Sequence, residues 1–379
     1  MTRGLGERGV PVIVLHWDDD DLARLSRYAT ESIKVPRPEF DGDAFVDRLL
    51  SLADRFAGAV VIPTTDAAVK DVASNKSRLE RHFLVDCPSW EVAERYIDKR
   101  YTYELAAELG IAAPRTLVLT AGADLDALTA ELDFPCLVKP RESHLWSERL
   151  GGKLRVVQSR DEMHAACAAA HAAGLEVVIQ ELIPGPDHHA VNYNAYRSAS
   201  GVLADCTARK IRQGPPRFGL PRVVLSADVP EVVAPARRLL ESLDLEGFAC
   251  TEFKFDARDG RYKLLEVNGR HNLSSMLSIR CGINFPWISY RHIVANEIPP
   301  ALTARTGIFW IDEWLELSQN RTRAGRDGQS PRRLLHPWVR SHVFAVFDRS
   351  DIAPFRTVAR AVARDAARVA ARRIPKLSR

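Results

Sequence analysis

Polar side chains recur at every second position in one apolar segment of the chain, KLLEVNGRHNLSS. Glu266, Asn268 and Arg270 are two residues apart, and residues with this spacing in a β-strand point to the same face. Glu252 lies in the preceding segment FACTEFKFD, and the RDG sequence between the two segments predicts a hairpin turn. Pairing across that turn predicts that Glu252 lies close to Glu266 and Asn268.

This set of side chains predicts a metal and phosphate site. Carboxylate and amide oxygens are the hard ligands that Mg²⁺ prefers, and Mg²⁺ commonly completes its coordination with substrate phosphates. Arg270 can then bind a phosphoryl oxygen through paired hydrogen bonds. The alternative is an exposed ion pair between Glu266 and Arg270 at a sheet edge. The apolar neighbours Leu264 and Val267 disfavour it, because they indicate burial and a buried carboxylate needs a partner.

Two further segments place cations where they can serve such a site. FPCLVKP ends an apolar strand with Lys139, ahead of a glycine-containing loop with Ser143 and His144 whose N–H groups can fold over phosphates. ARKIRQ places Lys210 and Arg212 two residues apart, so we expect both on one face of a strand. A solvated strand end and a solvated sheet surface are the alternatives. Beside a metal and phosphate site, anion binding is favoured.

The segment VVIQELIPGPD predicts a contact with a flat heterocycle. Its strand ends in Gln180 and Glu181 and then turns through Pro184 and Gly185, so it presents backbone and side-chain groups together. Asp187 follows the turn and is placed to accept hydrogen bonds from ribose hydroxyls.

The composition is that of a globular protein, with 379 residues, 46% hydrophobic and 27% charged. A chain of this length is expected to form two or three domains. It contains no apolar run of the ~18 residues that a transmembrane helix requires, and its N-terminal segment lacks a secretory cleavage site. The six cysteines never form a CxxC pair. We therefore expect reduced core thiols of a cytosolic protein, with neither disulfides nor zinc.

The order of strand-like and helix-like segments predicts an α/β protein. Residues 10–120 alternate the two kinds, which is typical of an open parallel sheet with helices. Gly4, Gly6 and Gly9 already lie where the turn after a first strand is expected, so we expect that sheet to lack its first strand.

The net charge of +4 conceals an asymmetry. Residues 321–379 carry fifteen Lys and Arg against four Asp, so the rest of the chain is acidic and a general nucleic-acid-binding role is disfavoured. Five arginines recur every four residues and would form a row along a helix: Arg356, Arg360, Arg364, Arg368 and Arg372. Two interpretations stay open, a solvated helix docked on the body or a peripheral contact with an anionic membrane or an acidic protein.

The series DKRYTYELAAELG with Lys99, FPCLVKP, IQELIPG, ARKIRQ, TEFKFD and LLEVNGR resembles the ATP-grasp superfamily. More narrowly, it resembles the carboligases related to D-aspartate ligase and other carboxylate–amine ligases, over nearly the whole chain. The resemblance implies an ATP-grasp fold in four parts: an N-terminal α/β domain (1–110), a small lobe (111–190), a large lobe (191–305) and a C-terminal extension with a basic amphipathic helix (306–379).

The resemblance also implies roles for single residues. The implied ATP-binding residues are Lys99, Lys139, Ser143, Gln180, Glu181, Leu182, Ile183, Asp187 and Lys210. The implied Mg²⁺ ligands are Glu252, Glu266 and Asn268, and the implied catalytic residues are Arg270, Lys210 and Arg212. Substrate contacts are expected among Asn192, Asn194, Tyr196, Arg212, Ser274, Ser275 and Arg280. Relatives usually read Asn-Pro-Arg where this chain reads Asn268-Gly269-Arg270, a departure that we expect to loosen the backbone.

The implied activity is an ATP-dependent ligation of a carboxylate to an amine through an acyl phosphate, in the cytoplasm and on an amino acid or peptide-like substrate. A homodimer is compatible with it. One of His144, His188, His189 and His271 is a candidate for moving the amine proton. The alternatives are an ATP-binding regulatory or scaffold protein, and an enzyme that stops at an acyl phosphate or forms a thioester.

Overall fold

The computed structural model describes residues 1–120, 124–130, 132–142, 146, 150–320 and 329–373, with side chains described to residue 364. Two antiparallel-rich sheets, one of four strands and one of seven, dominate this part of the chain. Strands are numbered β1 to β15 and helices α1 to α15 in chain order.

The N-terminal domain consists of short parallel strand pairs and the helices around them. Its strands are β1 (Val12–His16), β2 (Ala29–Lys34), β3 (Val60–Val61) and β4 (Leu84–Val85). Its helices are α1 (Thr2–Gly6), α2 (Gly42–Leu50), α3 (Ala53–Phe56), α4 (Asp66–Ser74), α5 (Lys76–Leu79), α6 (Trp90–Ile97) and α7 (Lys99–Glu108). β1 pairs with β2 and β3 with β4, both in parallel. The predicted single open sheet is therefore present as two separate parallel pairs.

The small lobe is a four-stranded antiparallel sheet with its own core. Its strands are β5 (Thr116–Val118), β6 (Cys136–Pro140), β7 (Arg155–Val157) and β8 (Val177–Glu181), in the order β5-β8-β6-β7. The helices α8 (Leu125–Leu128) and α9 (Arg160–Ala172) belong to this lobe. Val138, Met163 and Ile179 form the centre of a hydrophobic cluster confined to it.

The large lobe is built on the seven-stranded sheet, in the order β13-β12-β9-β10-β11-β14-β15. Five of its strands are β9 (Ala190–Ser198), β10 (Gly201–Gly214), β11 (Leu220–Ser226), β12 (Gly247–Asp256) and β13 (Arg261–Asn268). Its helices are α10 (Val233–Ser242), α11 (Ser275–Arg280) and α12 (Phe285–Ala295). All nine residues of β9 are buried, because this central strand is covered on both faces.

The C-terminal segment completes the same sheet. It contains β14 (Phe309–Ile311), α13 (Glu313–Gln319), α14 (Pro331–Val339), β15 (His342–Phe344) and α15 (Ala353–Arg373). β14 pairs with β11 and β15 pairs with β14. The segment predicted as an extension beyond residue 305 is therefore continuous with the large lobe in its sheet.

Side-chain contacts join the N-terminal domain to the rest of the chain. One hydrophobic cluster runs from Val69 and Leu79 of the N-terminal domain to Phe253 and Leu264 of the large lobe. The buried Asp351 carboxylate accepts hydrogen bonds from Arg3 Nε (2.9 Å), Ser26 Oγ (2.7 Å) and Arg27 N (2.9 Å). Burial of apolar area is the main stabilising term in such contacts, and Val69 of α4 and Val267 of β13 belong to the same cluster.

All six cysteines are free and five of them are buried, which agrees with the expectation of core thiols. In the described part of the chain, no helix is long and apolar enough to cross a membrane.

Candidate active site

The predicted hairpin forms, and it brings the acidic side chains together. β12 and β13 are antiparallel neighbours, with Glu252 opposite Glu266 and Cys250 opposite Asn268. The Asn268 Nδ2 group lies 3.3 Å from Glu266 Oε1. Lys210, on β10, donates to Glu252 Oε2 at 2.5 Å. Two carboxylates and one amide therefore lie on adjacent strands, as the alternation of the sequence predicted.

Three buried or partly buried lysines surround this acidic edge. Burial raises the pKa of Glu266, but the ammonium groups of Lys99, Lys210 and Lys139 together lower it by a larger amount, so the net shift is downward. Burial and the neighbouring Lys99 lower the pKa of Lys139 to about 8. Burial also lowers the pKa of Lys99. Lysines whose charge is this costly are expected where an anionic ligand will stabilise them.

These groups face a cleft of about 360 Å³ that is lined by all three parts of the chain. The basic lining residues are Lys99, Lys139, Lys153, Lys210, Arg217, Lys254 and Arg270. The acidic ones are Asp66, Asp187, Glu252 and Glu266. The volume is that of a small-molecule site, and the excess of positive charge suits a polyanion such as a triphosphate.

The acidic edge fits a divalent cation that brings oxygen ligands of its own. Among the described residues, no group of three or more His, Cys, Asp and Glu is placed to hold a metal alone. Glu252 and Glu266 supply carboxylate oxygens and Asn268 supplies a neutral oxygen. Phosphate and water would fill the remaining coordination positions of Mg²⁺.

Arg270 has a partner that the sequence did not reveal. Its Nε donates to Asp66 Oδ1 at 2.6 Å and its Nη2 to Asp66 Oδ2 at 3.0 Å, while Nη2 also reaches Asn268 Oδ1 at 3.3 Å. Burial lowers the pKa of Arg270, but the Asp66 carboxylate raises it by more. Asp66 is the first residue of α4, whose N-cap Thr65 accepts from Ala68 N. The N-cap signal was readable in the sequence; the pairing with a residue 204 positions away was not.

The glycine between Asn268 and Arg270 lies directly against a helix of the N-terminal domain. A Cβ atom at Gly269 would lie 2.3 Å from Tyr96 Oη, a distance that real Cβ contacts do not reach. Tyr96 is 5% exposed and belongs to α6. Gly269 is therefore required by the close packing of a helix of the N-terminal domain.

Arg212 does not share a face with Lys210, and this prediction is wrong. The register of β10 against β11 shifts between them: Lys210 lies opposite Val224 and Arg212 opposite Val223. This β-bulge interrupts the alternation of side chains. Arg212 consequently points to α13, where its Nη2 lies 2.7 Å from Glu316 Oε1 and its side chain is 1% exposed. A guanidinium in that position cannot contact a reacting group in the cleft.

The segment predicted to bind a heterocycle begins in β8, the last strand of the small lobe in chain order. Gln180 Nε2 donates to Thr116 Oγ1 (2.7 Å), and its Oε1 accepts from Lys139 Nζ (2.6 Å). The carboxylate of Glu181 accepts from Arg115 N at 3.0 Å and from Arg258. The side chains of Gln180 and Glu181 are thus engaged within the protein. Leu182 and the buried Ile183 follow directly, and the Ile183 carbonyl accepts from Lys254 Nζ at 2.8 Å.

Asp187 lines the cleft, with its carboxylate held by the end of β10 and by the loop that follows it. Its oxygens accept from the backbone N–H groups of Gln213 and Arg217, both at 2.7 Å. The contact with ribose stays a prediction.

Of the candidate histidines, the structure describes His188, His189 and His271. His271 stacks on Phe248 with 4.1 Å between ring centroids, and burial lowers its pKa to about 3. A ring whose pKa lies this far below 7 is a weak proton acceptor. Burial also lowers the pKa of His188, and His189 Nδ1 lies 3.1 Å from Phe255 O. Ser143 and His144 lie outside the described residues.

The predicted substrate contacts divide between three places. Asn192 lines the cleft, and Asn194, Ser274 and Ser275 line a neighbouring cavity. Tyr196 Oη lies 3.0 Å from His292 Nδ1, in a different groove. Arg280 lines none of these spaces.

The comparisons support the resemblance: the chain has the mixed α/β fold of ATP-grasp enzymes and is similar to carboxylate–amine ligases of that superfamily. Its relatives include ligases that are named for amino acids. D-aspartate ligase of Enterococcus faecium is 28% identical over 264 residues, which is 65% of this chain and 63% of that enzyme. D-alanine–D-alanine ligase of Ectopseudomonas mendocina is 28% identical over 209 residues, 50% of this chain and 62% of that enzyme. The chain thus matches less than two thirds of the length of either relative.

The solved structure of L-amino acid ligase from Bacillus licheniformis has the same fold. It superposes with a TM-score of 0.61 at 19% identity, over 79% of this chain and 74% of that one. No protein-family profile matches the chain.

Proposed function

We propose that the protein is an ATP-dependent ligase that joins a carboxylate to an amine, with Mg²⁺ and an amino acid or peptide-like substrate. One observation carries the proposal: the Glu252, Glu266 and Asn268 edge faces three lysines and an arginine in a single cleft. The amino-acid ligases among its relatives support the choice of reaction.

Each group in the cleft has a task in this proposal. Lys99, Lys139 and Lys210 bind the phosphates of ATP. Adenine lies against residues 180–183, with Asp187 near the ribose. Mg²⁺ is held by the acidic edge, and when bound there it supplies positive charge that stabilises the phosphate oxygens during transfer.

The reaction has two steps. A carboxylate oxygen of the substrate attacks the γ-phosphorus of ATP, an O–P bond forms, and the bond to ADP breaks. Lys139, Lys210 and Arg270 offset the negative charge of the phosphoryl group as it moves. The amine nitrogen then attacks the acyl carbon, the C–N bond forms, and phosphate leaves with the proton that the amine releases. The protein positions groups and offsets charge, and needs no nucleophilic side chain.

The test is incubation with Mg²⁺, ATP and pooled L- and D-amino acids, followed by mass spectrometry for new amides and an assay for ADP. A substrate labelled with ¹⁸O in its carboxylate should transfer one ¹⁸O atom to inorganic phosphate, because that oxygen bridges the acyl phosphate. Tight ATP binding without turnover of any pair would favour a regulatory protein. ADP release that does not depend on an amine would favour an enzyme that stops at the acyl phosphate.

A further inference from the structure

A second cavity of about 350 Å³ adjoins the cleft within the large lobe. β9, β10, α11 and residues 302–306 contribute to its lining. Asn272 and Ser274 line both the cavity and the cleft. The Asn272 side chain is fixed at this boundary, since its Nδ2 donates to Asn194 Oδ1 at 2.7 Å and its Oδ1 accepts from Ser274 Oγ at 3.1 Å. A ligand in the cavity would therefore reach the edge of the proposed phosphate site.

The cavity differs from the cleft in charge. The cleft is lined by seven basic and four acidic residues. The cavity is lined by two acidic residues, Asp205 and Asp228, and by one basic residue, Arg305. The guanidinium of Arg305 donates to the Arg280 carbonyl. A second polyanion is thus disfavoured in the cavity.

Three hydroxyl groups of the lining already use their protons inside the protein. Ser275 Oγ donates to Asn272 O at 2.6 Å, and Ser278 Oγ donates to Ser275 O at 2.8 Å. Thr207 Oγ1 donates to Ala227 O at 2.5 Å. A hydroxyl oxygen has two acceptor lone pairs in addition to its one donor. A ligand in the cavity therefore meets mostly hydrogen-bond acceptors.

The carboxylates add to this acceptor character. Asp228 is exposed, and within the described residues its carboxylate has neither a hydrogen-bond nor an ion-pair partner. Asp205 is held by Tyr193 Oη at 2.7 Å and by Arg237 Nε at 2.9 Å. Hydrogen-bond acceptors with a net negative charge suit a ligand that carries a hydrogen-bond donor. Phe248 and Leu277 supply apolar area beside these acceptors.

We propose that this cavity binds the amine substrate, a compound with a primary amine and an apolar portion, and delivers it past Asn272 to the acyl phosphate. The proposal rests on the proposed function, and names the chemistry of one of its two substrates. The protein recognises the amine: the ammonium form donates to the Ser and Thr oxygens and pairs with the exposed Asp228, and it releases one proton to solvent water before attack.

The probes are a panel of amino acid amides, which keep the amine and lack the carboxylate, and the matching N-acetyl amino acids, which keep the carboxylate and lack the amine. Binding is measured by ligand-observed NMR on the full chain with Mg²⁺ and a non-hydrolysable ATP analogue. Thr303→Trp is the blocking variant, because Thr303 is exposed and lines the cavity; Thr303→Ser is its matched control. Asp228→Asn removes one charge with little change of shape.

We expect amides to bind and N-acetyl compounds not to bind. Thr303→Trp should abolish amide binding, Asp228→Asn should weaken it at least fivefold, and Thr303→Ser should change it less than twofold. All three variants should bind the ATP analogue as the unaltered protein does. Equal binding of N-acetyl compounds, no binding of any amide, or amide binding that survives Thr303→Trp would overturn the inference. Failure of the unaltered protein to bind the ATP analogue would instead overturn the proposed function.

Discussion

Replacing Asp66 by alanine tests whether the N-terminal domain positions Arg270 for phosphoryl transfer. The two side chains share two hydrogen bonds of 2.6 and 3.0 Å, and they are 23% and 26% exposed. Exposed ion pairs contribute about 0.2–1 kcal/mol, whereas breaking a buried pair costs about 3–5 kcal/mol. A pair that is about three quarters buried falls between these limits, at about 1–3 kcal/mol, which corresponds to a fall in rate of about 5- to 150-fold.

The assay is ADP release under saturating substrates, with the KM for ATP measured alongside. Asp66→Ala should lower kcat by that factor and leave KM within about threefold, because Asp66 orients the arginine and does not bind the phosphates. Glu297→Ala is the matched control, since it removes the acidic partner of Arg291 in an ion pair on the surface; its kcat should stay within about twofold.

The double variant separates positioning from a general loss of structure. If Asp66 acts through Arg270, then Asp66→Ala combined with Arg270→Ala should be no slower than Arg270→Ala alone. Multiplying losses in the double variant, or unaltered kcat in Asp66→Ala, would refute the reasoning. Thermal unfolding of each variant shows whether it is folded at the assay temperature.

Four further predictions test other parts of the molecule. Glu266→Gln, which keeps the shape and removes a charge, should lower ATP turnover by several orders of magnitude in a folded protein, and near-normal turnover would exclude the metal assignment. Because burial lowers the pKa of Lys139 to about 8, ATP affinity should fall as the pH rises through 8, and Lys139→Arg should remove that dependence. Burial raises the pKa of Asp86 to about 6 from 3.8, so the folded state retains a proton that the unfolded chain releases, and the free energy of unfolding should decrease as the pH rises from 4 to 6. Asp86→Asn should then stabilise the protein at pH 7 by about 1–3 kcal/mol in chemical denaturation. An unchanged free energy of unfolding would contradict the raised pKa of Asp86. Co-sedimentation with anionic vesicles should be stronger for the full chain than for a form ending at residue 364, and should weaken with salt; equal behaviour of the two forms would leave α15 as a docked helix.

The truncation point in the last test follows from the structure. Phe355, in the first turns of α15, packs against Trp314 and Phe347 with ring centroids 5.3 and 5.1 Å apart. A form without Phe355 would expose this aromatic cluster. Arg368 and Arg372 have side chains outside the described range, so their part in the arginine row stays a prediction.

The acidic edge was predictable because its signal is local. Strand alternation and the RDG turn predict that Glu252 lies near Glu266 and Asn268, and a register shift between Glu252 and Phe253 brings Glu252 directly opposite Glu266. The position of Arg212 was not predictable, because a bulge of one residue reverses the direction of every later side chain on the strand. Its partner Glu316 lies more than 100 residues away in the sequence, and nothing in the segment ARKIRQ indicates that contact.

Two contacts connect the N-terminal domain to the candidate active site: Tyr96 packs against Gly269, and Asp66 pairs with Arg270. A side chain at position 269 would collide with Tyr96 Oη, so the glycine permits α6 to lie directly against the end of β13. Contacts between α4 and α6 fix the start of α4 relative to that same strand, which brings the Asp66 carboxylate to the guanidinium of Arg270. Read from the sequence, Asn268-Gly269-Arg270 is a relaxed version of a family motif. In the folded chain, Gly269 permits the close packing of the N-terminal domain, and Asp66 of that domain then orients Arg270.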